Sequence, residues 1–288
     1  MTMQTALQDA DHSDAVGRRE TRAEPILTDR AAALAATLDL DPAPGTGAAL
    51  PPGWHWLFFN PFVRRSEIGP DGHPKRGGFL PDVGLPRRMW AGGRLRYHAP
   101  LPVGAAAEKE SEILDVVSKS GRAGRLVFVT VRHRISSGGV LCVEEEQDIV
   151  YREAPAPDAP KPKPAPAPDG AVWSEEVMPD PVLLFRYSAL TSNGHRIHYD
   201  RPYAMQEEGY PGLVVHGPLI ATLLQNFAAT CRPGQRLAQF SFRGMAPLFA
   251  DRAFRLEAVP AEGVSGLELW ARGPEGELAM KASAIFEV

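Results

Sequence analysis

Apolar and polar side chains alternate along four blocks in the first half of the 288-residue chain. In the block that begins at Leu126, aliphatic side chains fall on one face and polar side chains on the other, which is the two-residue period of a half-buried strand. The aliphatic face consists of Val127, Val129, Val131 and Ile135. Similar blocks begin at Gly92, Lys109 and Val140. A helical segment over residues 28–38 precedes these four predicted strands.

The second half of the chain repeats this order of a helix followed by strands. A helical segment is predicted over residues 181–190, and the apolar side chains after Gly217 recur at helical spacing. These are Leu219, Ile220, Leu223, Leu224 and Phe227. Strand-like blocks then cover residues 236–245, 252–259, 265–272 and 277–287. Because a sheet must bury its apolar face, we predict an α+β protein with two antiparallel sheets, each wrapping a helix and paired as a pseudo-dimer.

A run of prolines separates the two halves. Residues 154–169 contain seven prolines, which lack a backbone N–H and hold φ near the polyproline value. We therefore predict a semi-rigid tether here rather than a helix or a central strand. The predicted organisation is a disordered leader over 1–24, a first domain over 25–153, a Pro-rich linker over 154–170 and a second domain over 171–288.

Composition argues against several classes of function. The formal net charge is -4 and there is no run of Lys and Arg, so nothing indicates nucleic-acid binding. No apolar stretch is long enough to span a membrane, and the start of the chain lacks the apolar segment of a secretory signal. The two cysteines, Cys142 and Cys231, do not form a CxxC pair. A reducing compartment, the cytoplasm, is therefore the simplest expectation.

The densest group of polar side chains lies in the predicted loop at residues 187–204. Its members are Asn193, His195, His198 and Asp200. Loops that a rigid scaffold carries are where catalytic groups concentrate. A metal site would need more ligands than these, and Arg196 between the histidines would repel a cation, so we expect no metal. The alternative to a catalytic role is ordinary hydrogen bonding, and for Asp200 it is a cap on the turn that follows.

A second candidate element is the start of the apolar helix at His216 and Gly217. Pro218 suits the first turn of a helix, where its missing N–H would be unpaired in any case. The free N–H groups at such a helix end attract negative charge, including the oxygen of a thioester enolate, and glycine lets a ligand approach the backbone closely. The alternative is a capped core helix that binds no ligand.

Together these two segments resemble the MaoC-like (R)-specific enoyl-CoA hydratases and dehydratases, which adopt the hotdog fold. The loop of that family reads approximately D-x-N-P-x-H, and its helix begins with V-x-H-G. The matching segments are residues 193–198 and 214–217. The spacing from Asn193 to His198 equals the spacing from the acid to the histidine in the family.

A wider resemblance covers most of the chain. Blocks that begin at Gly78, Leu126, Glu144 and Ala189 look like the two-hotdog hydratases and dehydratases. This resemblance implies a double hotdog whose first domain has lost its catalytic set, an acyl-CoA thioester as the partner, and neither cofactor nor metal. It implies hydration of a short branched enoyl-CoA, such as mesaconyl-C4-CoA or itaconyl-CoA, to citramalyl-CoA. The alternatives are an (R)-3-hydroxyacyl-thioester dehydratase and a catalytically inactive thioester-binding module. Both a monomer and a homodimer are compatible with it.

The resemblance also implies roles for individual residues. Catalysis would fall to Asn193, His198 and Gly217, with His198 activating water and the Gly217 amide polarising the thioester carbonyl. Substrate contacts would come from His195, Tyr199, His216, Leu219 and Arg243.

Two points of chemistry stay open in this sequence. The family acid is an Asp, but Asn193 cannot titrate, so proton delivery would fall to His198 alone or to another acid, with Tyr199 and Asp200 the nearest. A substrate with a second carboxylate would need an arginine, because the guanidinium fork matches carboxylate geometry. The candidates are Arg87, Arg88, Arg94 and Arg243, each of which could instead be a surface or nucleotide-phosphate contact.

Overall fold

The structure, a computed structural model, describes residues 12–121, 124–154, 163–263 and 265–287. Its strands are β1 (Arg19–Pro25), β2 (Arg87–Tyr97), β3 (Ala106–Gly121), β4 (Gly124–Ser137), β5 (Val140–Arg152), β6 (Trp173–Val177), β7 (Leu237–Gly244), β8 (Phe254–Pro260), β9 (Gly266–Arg272) and β10 (Leu278–Phe286). Its α-helices are α1 (Thr28–Thr37), α2 (Pro181–Leu190), α3 (Arg201–Gln206) and α4 (Gly217–Cys231). No helix in these ranges is long and apolar enough to cross a membrane.

All ten strands join in one antiparallel sheet with the order β1-β3-β4-β5-β2-β7-β10-β9-β8-β6. The first five positions come from the first half of the chain and the last five from the second half. The halves meet where β2 pairs with β7, from Gly92 opposite Arg243 to Arg96 opposite Gln239. A Cβ at Gly92 would lie 2.5 Å from the Phe242 carbonyl oxygen, so this seam requires a glycine. The two predicted sheets are therefore continuous with each other.

The second half wraps α4 as predicted. This helix contacts β7, β8, β9 and β10, and its apolar side chains are buried in the main core. The first half differs, because its short helix α1 packs mainly against α2 and a 3-10 turn at residues 54–57. Side chains from a loop, including Val83 and Leu85, pack against the apolar face of β4 instead. The first half therefore uses loop residues where the second half uses a long helix.

A buried polar cluster attaches the 54–57 turn to β5. The Glu145 carboxylate is hydrogen-bonded to His55 Nε2 and accepts from Trp56 Nε1, both at 3.0 Å. Burial alone would raise the pKa of Glu145, but the hydrogen bond and charge of His55 lower it to about 2. Because a buried carboxylate needs such partners, this cluster holds the turn in one position on the sheet.

The predicted leader and linker need correction. Residues 19–24 belong to β1, which pairs with β3 from Arg19 opposite Glu112 to Pro25 opposite Ala106, so the prediction of disorder is wrong for them. A mostly charged edge strand lacks the apolar alternation that identifies a strand from sequence, and the short β6 was missed for the same reason. The end of the linker is ordered against the second half, where Pro166 bridges Glu277. Residues 1–11 and 155–162 lie outside the described residues.

Candidate active site

The loop that follows α2 is held by Asn193. Its backbone N–H donates to the Ser188 carbonyl at 2.9 Å, and its side-chain Oδ1 accepts from the His195 N–H at 3.0 Å. These two bonds form the turn that leads into a 3-10 helix at residues 196–198. The Asn193 side chain thus has a clear positioning contact within the loop, while its amide offers no titratable group.

His198 lies at the end of that 3-10 helix and is almost fully buried. Its Nδ1 donates to the Val214 carbonyl at 2.7 Å. Because a carbonyl can only accept, this bond places the ring proton on Nδ1 and leaves the Nε2 lone pair available. Burial lowers the pKa of His198 to about 4, so the ring is neutral at neutral pH. His198 is therefore ready to accept a proton.

The start of α4 lies directly beside this ring. His216, the residue before the helix, stacks on His198 with a ring-centroid distance of 3.6 Å and shares a 2.8 Å hydrogen bond with Ser188 through Nε2. A Cβ built on Gly217 would meet no atom within 4 Å, so the helix start faces open space. A proton acceptor and the positive end of a 15-residue helix thus lie next to each other.

The other polar residues of the loop have structural partners. Asp200 caps α3 by accepting from the Tyr203 N–H at 3.1 Å, and it pairs with Arg196 at 2.8 Å. The Tyr199 hydroxyl donates to the Gly194 carbonyl at 2.9 Å. The capping interpretation of Asp200 is confirmed, and neither Asp200 nor Tyr199 is free to deliver a proton.

A loop from the first half completes the site, which the sequence analysis missed. The Arg196 N–H donates to the Asp71 carbonyl at 2.9 Å. Gly72 lies so close to Gly194 that a Cβ on it would be 1.8 Å from the Gly194 oxygen. The His73 and His195 rings are 4.3 Å apart. A glycine between two potential proton-transfer residues is the only local signal that the sequence offers for this loop.

Four imidazole rings form a continuous row at this junction. His195 lies between His73 and His198, 5.5 Å from His198, and His216 stacks on the far side. Burial lowers the pKa of all four histidines, to about 2 for His195. Burial would raise the pKa of Asp71, but its hydrogen bond with His73 lowers it. The row is therefore neutral at rest and has one carboxylate, Asp71, at its outer end.

Asp71, His73 and His195 also place one potential ligand atom each within 4.8 Å of one another. However, His73 Nδ1 already shares a 3.2 Å hydrogen bond with Asp71. The positive charge of Arg88 acts on both histidines and would also act on a bound cation. The donor set therefore fits hydrogen bonding better than a divalent cation.

Comparison with known proteins shows the family of this chain. The family model for hydroxyacyl-thioester dehydratase type 2 matches residues 53–250, which include the first-half loop, the candidate loop and α4. The chain belongs to this family. It is 50% identical to mesaconyl-C(4)-CoA hydratase of Chloroflexus aurantiacus over 281 residues, covering 96% of this chain and 98% of the relative.

Solved structures identify the fold of this family member. A MaoC-like dehydratase from Phytophthora capsici superposes with a TM-score of 0.67 at 13% identity, covering 96% of this chain and 98% of that one. A Mycobacterium tuberculosis protein described as having a double hotdog fold superposes with a TM-score of 0.61 at 16% identity, covering 94% and 96%. The fold is a double hotdog, as predicted, and its two halves form the pseudo-dimer.

The predicted substrate contacts do not all come together. His195 and His216 lie in the row of rings, and Tyr199 is half-exposed beside it. The Leu219 side chain is fully buried in the main core, so only its backbone is at the helix start. Arg243 is exposed and alternates with the buried Phe242 on β7, so it points away from the core and is not brought to the row.

Of the arginines considered for a substrate carboxylate, Arg88 has the most suitable position. Arg87 and Arg94 are already paired with protein carboxylates at 3.1 and 2.7 Å. Arg88 lies opposite the buried Tyr151 in the β2–β5 register. It forms no ion pair with any residue in the described ranges, and its charge reaches the candidate site, where it lowers the pKa of two histidines.

Proposed function

We propose that this protein adds water to a short branched enoyl-CoA, with mesaconyl-C4-CoA as substrate and citramalyl-CoA as product. The observation that carries the proposal is the protonation state of His198. Its Nδ1 is committed to the Val214 carbonyl, so Nε2 is a neutral base that lies beside the open helix start at Gly217. A base next to a group of backbone donors is what addition of water to a thioester-activated double bond requires.

The reaction follows from these two groups. Nε2 of His198 takes a proton from water as the water oxygen bonds to the β-carbon. The π electrons of the double bond move onto the thioester oxygen, and the N–H groups at Gly217 stabilise the resulting enolate. The enolate then collapses as the α-carbon takes up a proton, so that one water is consumed with no net release of protons. Asn193 holds the loop through its contact with His195.

The choice of substrate is supported by the named activity of the Chloroflexus aurantiacus relative and by Arg88. Mesaconyl-C4-CoA carries a free carboxylate at its β-carbon, and a guanidinium without a protein carboxylate partner suits such a group. Itaconyl-CoA also has a carboxylate and stays within the proposal as a second substrate.

Two other functions remain to be tested against this one. Dehydration of an (R)-3-hydroxyacyl thioester is favoured by the family to which the chain belongs, because the same two groups would run that reaction. A non-catalytic thioester-binding module is favoured by Asn193 alone. It is disfavoured by the free Nε2 of His198.

One assay separates these functions. Loss of enoyl-thioester absorbance is measured with mesaconyl-C4-CoA and crotonyl-CoA, and mass spectrometry follows water addition to itaconyl-CoA, whose double bond is not conjugated with the thioester. His198→Asn serves as the inactive control, because its amide can still donate to the Val214 carbonyl. We expect the branched dicarboxylic substrates to react fastest. Turnover of crotonyl-CoA alone would favour the dehydratase, and binding of all three esters without turnover would favour the binding module.

Arg88→Gln tests the carboxylate contact within the same assay. Removing a charge-assisted hydrogen bond of about 1.5–3 kcal/mol should raise KM for mesaconyl-C4-CoA roughly 10- to 100-fold. KM for crotonyl-CoA should stay unchanged, because that ester has no second carboxylate. Arg94→Gln, whose partner is Asp148, is the matched control and should affect neither substrate.

The setting of the reaction is part of the proposal. The acyl-CoA thioester is the partner, and the steps above use no cofactor besides the CoA of the substrate. Both Cys142 and Cys231 are free and buried, which supports a reducing compartment, the cytoplasm. A homodimer stays a prediction that light scattering of the purified protein would test.

A further inference from the structure

The buried position of His198 raises the question of where its proton goes. The ring is 6% exposed, and its only hydrogen-bonding partner in the described ranges is a backbone carbonyl. Asn193 cannot titrate, and Asp200 and Tyr199 are held by other groups. A charge formed on His198 during turnover would therefore sit in a desolvated site without a carboxylate in contact with it.

The row of imidazoles provides a route out of this site. From His198 the next ring is His195 at 5.5 Å, followed by His73 at 4.3 Å. His198 is 6% exposed, whereas the side chains of His73 and Asp71 at the other end of the row are 21% and 29% exposed. Asp71 accepts from both the backbone N–H and Nδ1 of His73, which fixes the tautomer of that ring and leaves its Nε2 to exchange protons.

The charges around the row act on its rings with opposite signs. Arg88 and Arg76 act on His73 and disfavour a lasting positive charge there. Asp71 acts on both His73 and His195 with the opposite sign. A proton is thus tolerated in transit through the row without being trapped in it.

We propose that His195, His73 and Asp71 form a proton path that connects the buried base His198 with solvent. The proposal rests on the hydratase function above. In the dehydration direction, His198 Nε2 takes the α-proton and passes it through His195 and His73 to solvent. A solvent proton that returns along the same row is given by His198 to the β-hydroxyl, which leaves as water while the double bond forms, so the number of protons in the site is unchanged. His73 and Asp71 are positioning residues, because they act through His195, and the first half of the chain contributes them.

The experiment compares proton exchange with turnover. Citramalyl-CoA deuterated at the α-carbon is incubated with enzyme in ordinary water. Mass spectrometry follows the loss of deuterium from the remaining citramalyl-CoA, while absorbance follows the formation of enoyl-CoA. In the wild type, deuterium loss should keep pace with dehydration. His73→Asn and the isosteric Asp71→Asn should lower the ratio of the two rates about 100-fold, the low end of what a positioned proton-transfer group contributes.

The control is Asp82→Asn, which removes a carboxylate from the same first-half loop region that accepts a hydrogen bond from the Gly84 N–H and makes no contact with the row of histidines in the described ranges. This variant should keep the wild-type ratio. Equal decreases of both rates in His73→Asn and Asp71→Asn would overturn the path in favour of a structural role, and so would wild-type dehydration without deuterium loss. Absence of any wild-type dehydration would instead overturn the proposed function, and the path with it.

Discussion

Gly72→Ala tests whether the first half of the chain must contact the catalytic loop of the second half. Gly72 has φ +90 and packs directly on the backbone of Gly194. The added methyl group would start 1.8 Å from the Gly194 oxygen, a distance that must grow to at least 3.0 Å. Because the contact is between two backbones, no flexible side chain can move aside. The two loops must separate.

The magnitude of this effect follows from the contacts that would be lost. Any non-glycine residue in the left-handed region costs about 1–2 kcal/mol. Separation of the loops would also break the 2.9 Å hydrogen bond from the Arg196 N–H to the Asp71 carbonyl. If the two groups stay buried, this loss lowers the free energy of unfolding by about a further 1–3 kcal/mol. Because the loop that carries His198 would be displaced by about 1 Å, kcat should fall about 100-fold.

Gly77→Ala is the matched control. Gly77 has φ +89, almost the same backbone conformation, but a Cβ on it would meet no atom within 4 Å. Urea denaturation of both variants gives the free energies of unfolding, and the hydration assay gives kcat. Gly72→Ala should be less stable than Gly77→Ala and much less active, whereas Gly77→Ala should keep the wild-type kcat. Equal stability and equal kcat for the two variants would refute the contact between the halves.

Two further predictions concern the catalytic loop. Burial lowers the pKa of His198 from 6.5 to about 4, so the unfolded chain binds more protons than the folded chain between these pH values. The contribution of His198 to the free energy of unfolding is therefore complete above pH 6.5 and is lost as the pH falls through 4. For the same reason, the acid limb of the kcat/KM profile should lie near pH 4. A limb near pH 6.5 would contradict this assignment. Asn193→Asp keeps an oxygen that can accept from the His195 N–H and should retain activity, whereas Asn193→Leu should lose about 1 kcal/mol of unfolding free energy and most of kcat. Similar loss in both variants would show a specific role for the amide nitrogen.

Periodicity identified the elements whose own residues carry a strong pattern. The strands β2 to β5 and β7 to β10 bury one face, and α2 and α4 bury a helical stripe, so all were predicted, although β2 begins at Arg87, well before the predicted block at Gly92. The strands β1 and β6 escaped, because they are short or charged edge strands that gain order from their neighbours. The local spacing of Asn193 and His198 likewise indicated the candidate loop, since both residues lie in one short segment of backbone.

Contacts between distant segments depended on the tertiary structure. Joining β2 to β7 makes one sheet of the two halves, and it places the loop with Asp71 and His73 against His195, which is far away along the chain. The same packing leaves Arg243 on the outer face, whereas the charge of Arg88 acts on His73 and His195, although the sequence treats both arginines as equivalent candidates. Period and spacing describe how a segment folds on itself, whereas a site shared by two halves is set by which surfaces meet when the apolar faces are buried.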